Sequence, residues 1–116
     1  MDSDDILARM REVRIAQEAI RSAQGRLNAP MSDADRLIRG AGNASVTTAG
    51  LVGGAASGAD GRISARLNAA AEGGRRFKQH LQDAYAQMSS RIDELDREYE
   101  YLEIELRAAL DRESHD

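Results

Sequence analysis

A chain of 116 residues suits a single domain, and 31 % charged residues with a mean hydropathy of −0.56 exclude a large dry core. Three Tyr, one Phe and no Trp leave little bulk to line a deep substrate pocket, and the absence of Cys removes disulfides, thiolate metal sites and thiol nucleophiles together. The net charge of −4 is unevenly spread: residues 1–30 balance five acidic against five basic groups, residues 31–79 carry four against seven, and residues 80–116 eleven against four. That acidic end repels nucleic acid and anionic lipid and favours a partner whose basic residues flank an apolar stripe.

The opening Met1-Asp2-Ser3-Asp4-Asp5 is acidic where a secretory leader is basic, and no apolar run follows it. The expectation is a cytoplasmic protein, or one secreted without a cleavable signal peptide by a route that reads folded helices. A first helix is predicted over about 4–28, started by the side-chain oxygen of Ser3 or Asp4. Ile6, Val13, Ile20 and Leu27 recur every seven residues, with Ala16 and Ala23 three after the second and third, which makes a narrow coiled-coil stripe. Asn28-Ala29-Pro30 predicts its end, because proline restricts the residue before it and supplies no N–H.

Ser32-Asp33-Ala34-Asp35 resembles a capping box for a short helix over about 32–39, with Leu37 and Ile38 on its apolar face. From Gly40 to Ala59 no residue is charged, and residues 40–60 read as a small-residue connector, since each Gly inside a helix costs about 1 kcal/mol relative to Ala. The competing reading is a close-packed or membrane-inserting helix carrying Gly50, Gly54 and Gly58 on one face; only Val46, Leu51 and Val52 are strongly apolar there, too few for a spanning segment.

A long helix is predicted over about 61–112. Ile63, Leu67, Ala70, Gly74, Phe77 and Leu81 alternate four- and three-residue steps. After an extra four-residue step to Tyr85 the alternation resumes through Met88, Ile92, Leu95, Tyr99, Leu102, Leu106 and Ala109. Gly73-Gly74 marks a weak point where a bend is expected. The fold class is therefore all-α: an elongated antiparallel helical hairpin with a long C-terminal coiled-coil helix, in one domain spanning residues 1–116. The first helix covers only part of the long stripe, with Ile6, Val13, Ile20 and Leu27 closing the hairpin. The remaining seam, Tyr85, Met88, Ile92, Leu95, Leu102 and Leu106, is expected to receive a helical partner, because each large apolar side chain left in water forfeits about 1.5–3 kcal/mol.

Chemistry is sparse. His80 and Asp83 stand three apart, a spacing that an acidic helix produces by chance, and His115 sits near the end of the chain. No Ser/His/Asp constellation is recognisable, and the glycine-rich stretch lacks the lysine and strand of a phosphate loop. Arg75, Arg76 and Lys78 around Phe77 form the compact basic cluster, small for nucleic-acid binding. No enzyme, cofactor or metal is expected.

The pattern Tyr-x-x-x-Glu occurs twice, as Tyr99-Glu100-Tyr101-Leu102-Glu103 and as Tyr101-Leu102-Glu103-Ile104-Glu105. With an amphipathic first helix, a small-residue turn and a long second helix, the chain resembles the small helical-hairpin proteins of bacterial type VII secretion, the WXG-like substrates and the partners that accompany LXG-type toxins. There is no Trp-x-Gly turn, and the candidate turns are Gly40-Ala41-Gly42 and Gly53-Gly54, which fits the toxin-associated partners better. The resemblance implies a small partner, targeting chaperone or co-secreted substrate in a heteromer that presents an export signal on paired helices, with Tyr99 and Glu103 as the first candidate pair and Tyr101 and Glu105 as the second. The alternatives are a homo-dimer or larger homo-oligomer acting as a structural coiled coil, and a membrane-active protein using the glycine-rich segment.

Overall fold

The computed structural model describes residues 2–52 and 57–115, with side chains described for 2–44 and 61–115. The fold is all-α, with three helices among the described residues: α1 (Ser3–Arg26), α2 (Asn28–Val52) and α3 (Ser57–Ser114). Two compact units share α3: residues 1–25 with 85–116, and residues 26–84.

Asp2 opens α1, its carboxylate accepting from the Asp5 N–H at 2.9 Å and its carbonyl from the Ile6 N–H. In the first unit α1 lies antiparallel to the C-terminal part of α3, as cross-helix bonds show from end to end: Ser3 to Glu113, Arg9 to Glu98, Gln17 to Asp96 and Gln24 to Ser89. Ile6, Met10 and Val13 close on Leu95, Leu102 and Ala109, with Ala16, Ile20, Tyr99 and Leu106 packed around them. Each helix thus buries one stripe of roughly seven-residue period.

Pro30 does not terminate a helix. The first helix ends at Arg26, Leu27 alone separates it from α2, and Pro30 falls in the first turn of α2, where its missing N–H has no intrahelical partner to lose. The ladder resumes with the Met31 N–H donating to the Leu27 carbonyl at 3.0 Å. The expected capping acids serve other ends: Asp33 pairs with Arg36, and Asp35 with Lys78 of α3 at 2.7 Å.

The connector expected over residues 40–60 is a further correction, since α2 continues through Val52 and α3 begins at Ser57. Gly50 falls in α2 and Gly58 in α3, while Gly54 lies outside the described residues. Packing in the second unit overrides the weak local propensity. Ala34 and Ala41, seven apart on α2, are buried, as are Ala71 and Gly74 on α3. A Cβ at Gly74 would meet Ile38 Cγ1 at 3.0 Å and the Ala34 carbonyl oxygen at 3.6 Å. Gly74 is therefore a place where α2 approaches α3 tightly, inside an unbroken helix, and small residues on both sides permit that approach.

Gly73 and Gly74 share one helix and differ in surroundings, since nothing lies within 4 Å of a Cβ at Gly73. Gly73→Ala is expected to stabilise the chain by about 0.5–1 kcal/mol through helix propensity. Gly74→Ala is expected to gain less, because Ile38 must shift, and Gly74→Leu to lower the melting temperature outright. Thermal unfolding followed by circular dichroism separates the three.

Candidate partner-binding surface

The seam expected to receive a partner is largely taken by the chain itself. Leu95 and Leu102 are 2 % and 4 % exposed, sealed by Ile6, Met10 and Val13, and Leu106 packs on the same cluster. Met88 and Ile92 are half-buried, Tyr85 is exposed, and of the hairpin residues Ile20 and Leu27 are half-buried. Leu95, Leu102, Leu106 and Ile20 build the α1–α3 pair, so they do not form an open receiving groove in the single chain.

The search for an apolar stripe passes over two residues at the centre of that pair. Gln17 is fully buried and Gln24 nearly so. The Gln17 amide donates to the Ile92 carbonyl at 3.2 Å and to the Asp96 carboxylate, while its oxygen accepts from Arg14 at 2.7 Å. The Gln24 amide donates to the Tyr85 carbonyl at 3.2 Å and to the Ser89 hydroxyl at 2.8 Å. Their signal is present in the spacing: Met10, Gln17 and Gln24 each stand four residues after Ile6, Val13 and Ile20, in the alternation that a coiled coil needs.

The pair presents two flanks. On the first, Arg14 lies 3.7 Å over the Tyr99 ring and 3.4 Å from Asp96. A shallow groove there is lined by Leu7, Met10, Arg11, Arg14, Ile15 and Tyr99, and a second by Glu103, Leu106, Arg107 and Leu110. On the opposite flank Arg9 bridges to Glu98 at 2.6 Å and to Glu12 at 3.1 Å, which raises its pKa, the Glu98 bond contributing most. Beside this bridge lie Tyr101, Leu102 and Glu105.

The two Tyr-x-x-x-Glu pairs therefore separate. Tyr99 is half-buried beneath Arg14, and Glu103 is exposed on the groove beyond it. Tyr101 is 61 % exposed, and Glu105, one helical turn on, raises its phenol pKa above the ordinary value. Of the two pairs, Tyr101 with Glu105 is the one open to a partner.

The basic cluster is already engaged. Arg75 and Arg76 both pair with Glu72, and Lys78 with Asp35, leaving Phe77 half exposed among neutralised neighbours. His80 is exposed, and Asp83 accepts from Gln79. Among the described residues no group of three His, Cys, Asp or Glu converges on a metal-sized site, and no helix is long and apolar enough to cross a membrane. Comparison of the chain with protein-family models, curated proteins and solved structures gives no match.

Removing the Gln17 amide leaves Asp96 short of a donor and opens a small cavity, so Gln17→Ala is expected to cost about 1–3 kcal/mol in urea unfolding. For Tyr101, Glu105 favours the neutral phenol in the folded chain, and this contribution is complete below the ordinary phenol pKa and lost as pH rises through the raised one. Glu105→Gln is expected to bring the ionisation of Tyr101 down toward that of a free phenol, read as ultraviolet absorbance during alkaline titration in a background with Tyr85 and Tyr99 changed to Phe.

Proposed function

We propose that the chain is a non-enzymatic helical adaptor that binds a helical protein, as a small partner, targeting chaperone or co-secreted substrate of a type VII secretion system. The observation that carries this reading is the Tyr101–Glu105 pair. Tyr101 stands in water on the outside of a helix pair whose apolar contacts are made by other residues, so the fold itself gives no reason for an aromatic ring there. A tyrosine with a carboxylate one helical turn on is an amphipathic feature suited to recognition.

The docking surface differs from a receiving seam in one respect. A partner docks on the outside of the closed α1–α3 pair, not in place of α1, because Leu95 and Leu102 are already covered. The acidic surroundings of Tyr101, including Glu98 and Glu105, suit a partner helix with basic flanks. Tyr99 and Glu103 support the reading less, since the Tyr99 ring is engaged by Arg14.

Expression in a bacterium with an active type VII system, together with the products of neighbouring genes, tests the proposal. The wild-type chain is expected to form a discrete hetero-complex and to accumulate in the medium. Tyr101→Ala with Glu105→Ala is expected to keep the helical content and abolish that accumulation. Equal export of both forms, or export of neither, overturns the reading.

A further inference from the structure

The two units are held by unequal amounts of apolar burial. In residues 1–25 with 85–116, Ile6, Met10, Val13, Leu95 and Leu102 are buried, and Arg9, Arg14, Gln17 and Gln24 each reach across to α3. In residues 26–84 no described residue larger than alanine is buried. Ala34, Ala41, Ala71 and Gly74 form the centre, while Ile38, Leu67 and Leu81 are only half-buried and Leu37 and Phe77 are about half exposed. Apolar stabilisation follows the area removed from water, so this unit gains far less on folding. Among the described residues one ion pair crosses from α2 to α3, Asp35 with Lys78; the Asp33–Arg36 and Glu72 pairs each stay within one helix.

Local propensity points the same way. Of the ten glycines, Gly25 stands in the last turns of α1 and the rest fall within residues 40–74. Glycine is the poorest helix former after proline, and a helix of low propensity depends on its packing. The glycines of α3, Gly58, Gly61, Gly73 and Gly74, all precede Tyr85, so one continuous helix passes from a glycine-rich half with a small-residue core to a glycine-free half with a large one. The change coincides with the extra four-residue step from Leu81 to Tyr85 on α3 and with Leu27, the single residue between α1 and α2.

We propose that residues 26–84 form a separately opening unit: α2 and the part of α3 that it covers lose their structure together, while residues 1–25 and 85–116 stay paired. Departure of α2 leaves the covered stretch of α3 as a lone helix, which is marginal in water, so the two open as one. The remaining pair needs nothing from them, because its apolar cluster and both glutamine amides find their partners within residues 1–25 and 85–116. Opening converts the middle of the chain from paired helices into a loop on an intact hairpin and leaves the surroundings of Tyr101 as they are. The device is independent of the export reading.

Hydrogen exchange of the purified full chain, resolved by residue at neutral pH, tests this. Amides of residues 31–44 and 63–80 are expected to share one opening and to be protected about a hundred-fold less, or lower still, than those of residues 6–22 and 90–109. Val13→Ala, in the first unit, is expected to speed exchange there and to leave residues 31–44 and 63–80 unchanged, since their opening does not pass through it. Gly42 is exposed, with nothing within 4 Å of an added Cβ, so Gly42→Ala raises helix propensity without a clash. It is expected to slow exchange about five-fold, in α2 and equally across residues 63–80 of α3. Uniform protection along α3, a Val13→Ala effect that spreads alike to both units, or a Gly42→Ala effect confined to α2 each overturn the proposal.

Discussion

The apolar stripe of α3 is the constraint on which the rest depends. A helix of 58 residues with one continuous stripe loses stability along its whole length unless something covers it, and α1 with 24 residues cannot do so. The chain answers with a second covering helix, α2, built from residues too small and too uncharged to look helical in isolation. The two helices cover α3 by different means. In the pair with α1, Leu and Ile interdigitate around two glutamines; in the pair with α2, Ala34, Ala41, Ala71 and Gly74 allow close backbone approach.

Because α1 already covers Leu95 and Leu102, the proposed recognition falls to the flanks. A coiled-coil seam and a binding surface have the same composition on paper, and the difference lies only in whether the chain itself provides the covering helix. Here it does, so the functional reading moves to residues that the core does not use. Tyr101 with Glu105 stands on one side, and Leu7, Arg11 and Ile15 on the other. The charged rims differ correspondingly. Arg9 is bound to two carboxylates, Glu12 and Glu98, whereas Arg11 makes no such bridge among the described residues.

The all-α class, antiparallel pairing and the hairpin roles of Ile6 and Val13 are legible in the sequence because seven-residue recurrence of branched aliphatics is a strong signal, whereas Leu95 and Leu102, read as a seam for a partner, are covered by α1. Gln17 and Gln24 are not, since polar residues on a seam are invisible to a search for apolar ones; Ala16 and Ala23 take their places. The helix over residues 40–52 is hidden for another reason. Local propensity argues against it, and the α2 residues just before it, Ala34 and Ile38, pack close to Gly74, about forty positions away, which no window centred on α2 includes. The same glycine suggests a bend because its neighbour Gly73 strengthens the local breaker signal, although the structure uses it for contact. For the tyrosines, spacing alone gives Tyr99 and Tyr101 equal standing, and only the position of Arg14 across the pair distinguishes them.

Helix pairs made from repeating heptads have near-degenerate competitors in which one helix of the pair slides by seven residues. The two buried glutamines remove that degeneracy because they are not read by the same groups: Gln17 meets a carboxylate, Asp96, and Gln24 meets a hydroxyl, Ser89. A slide that carried Gln17 to Ser89 would set Met10 against Asp96's neighbours one heptad out of place, leaving a polar partner facing a thioether. That slide breaks the match of each amide to its partner. The glutamines thus work as a vernier, making it costlier than it would be on an all-leucine seam.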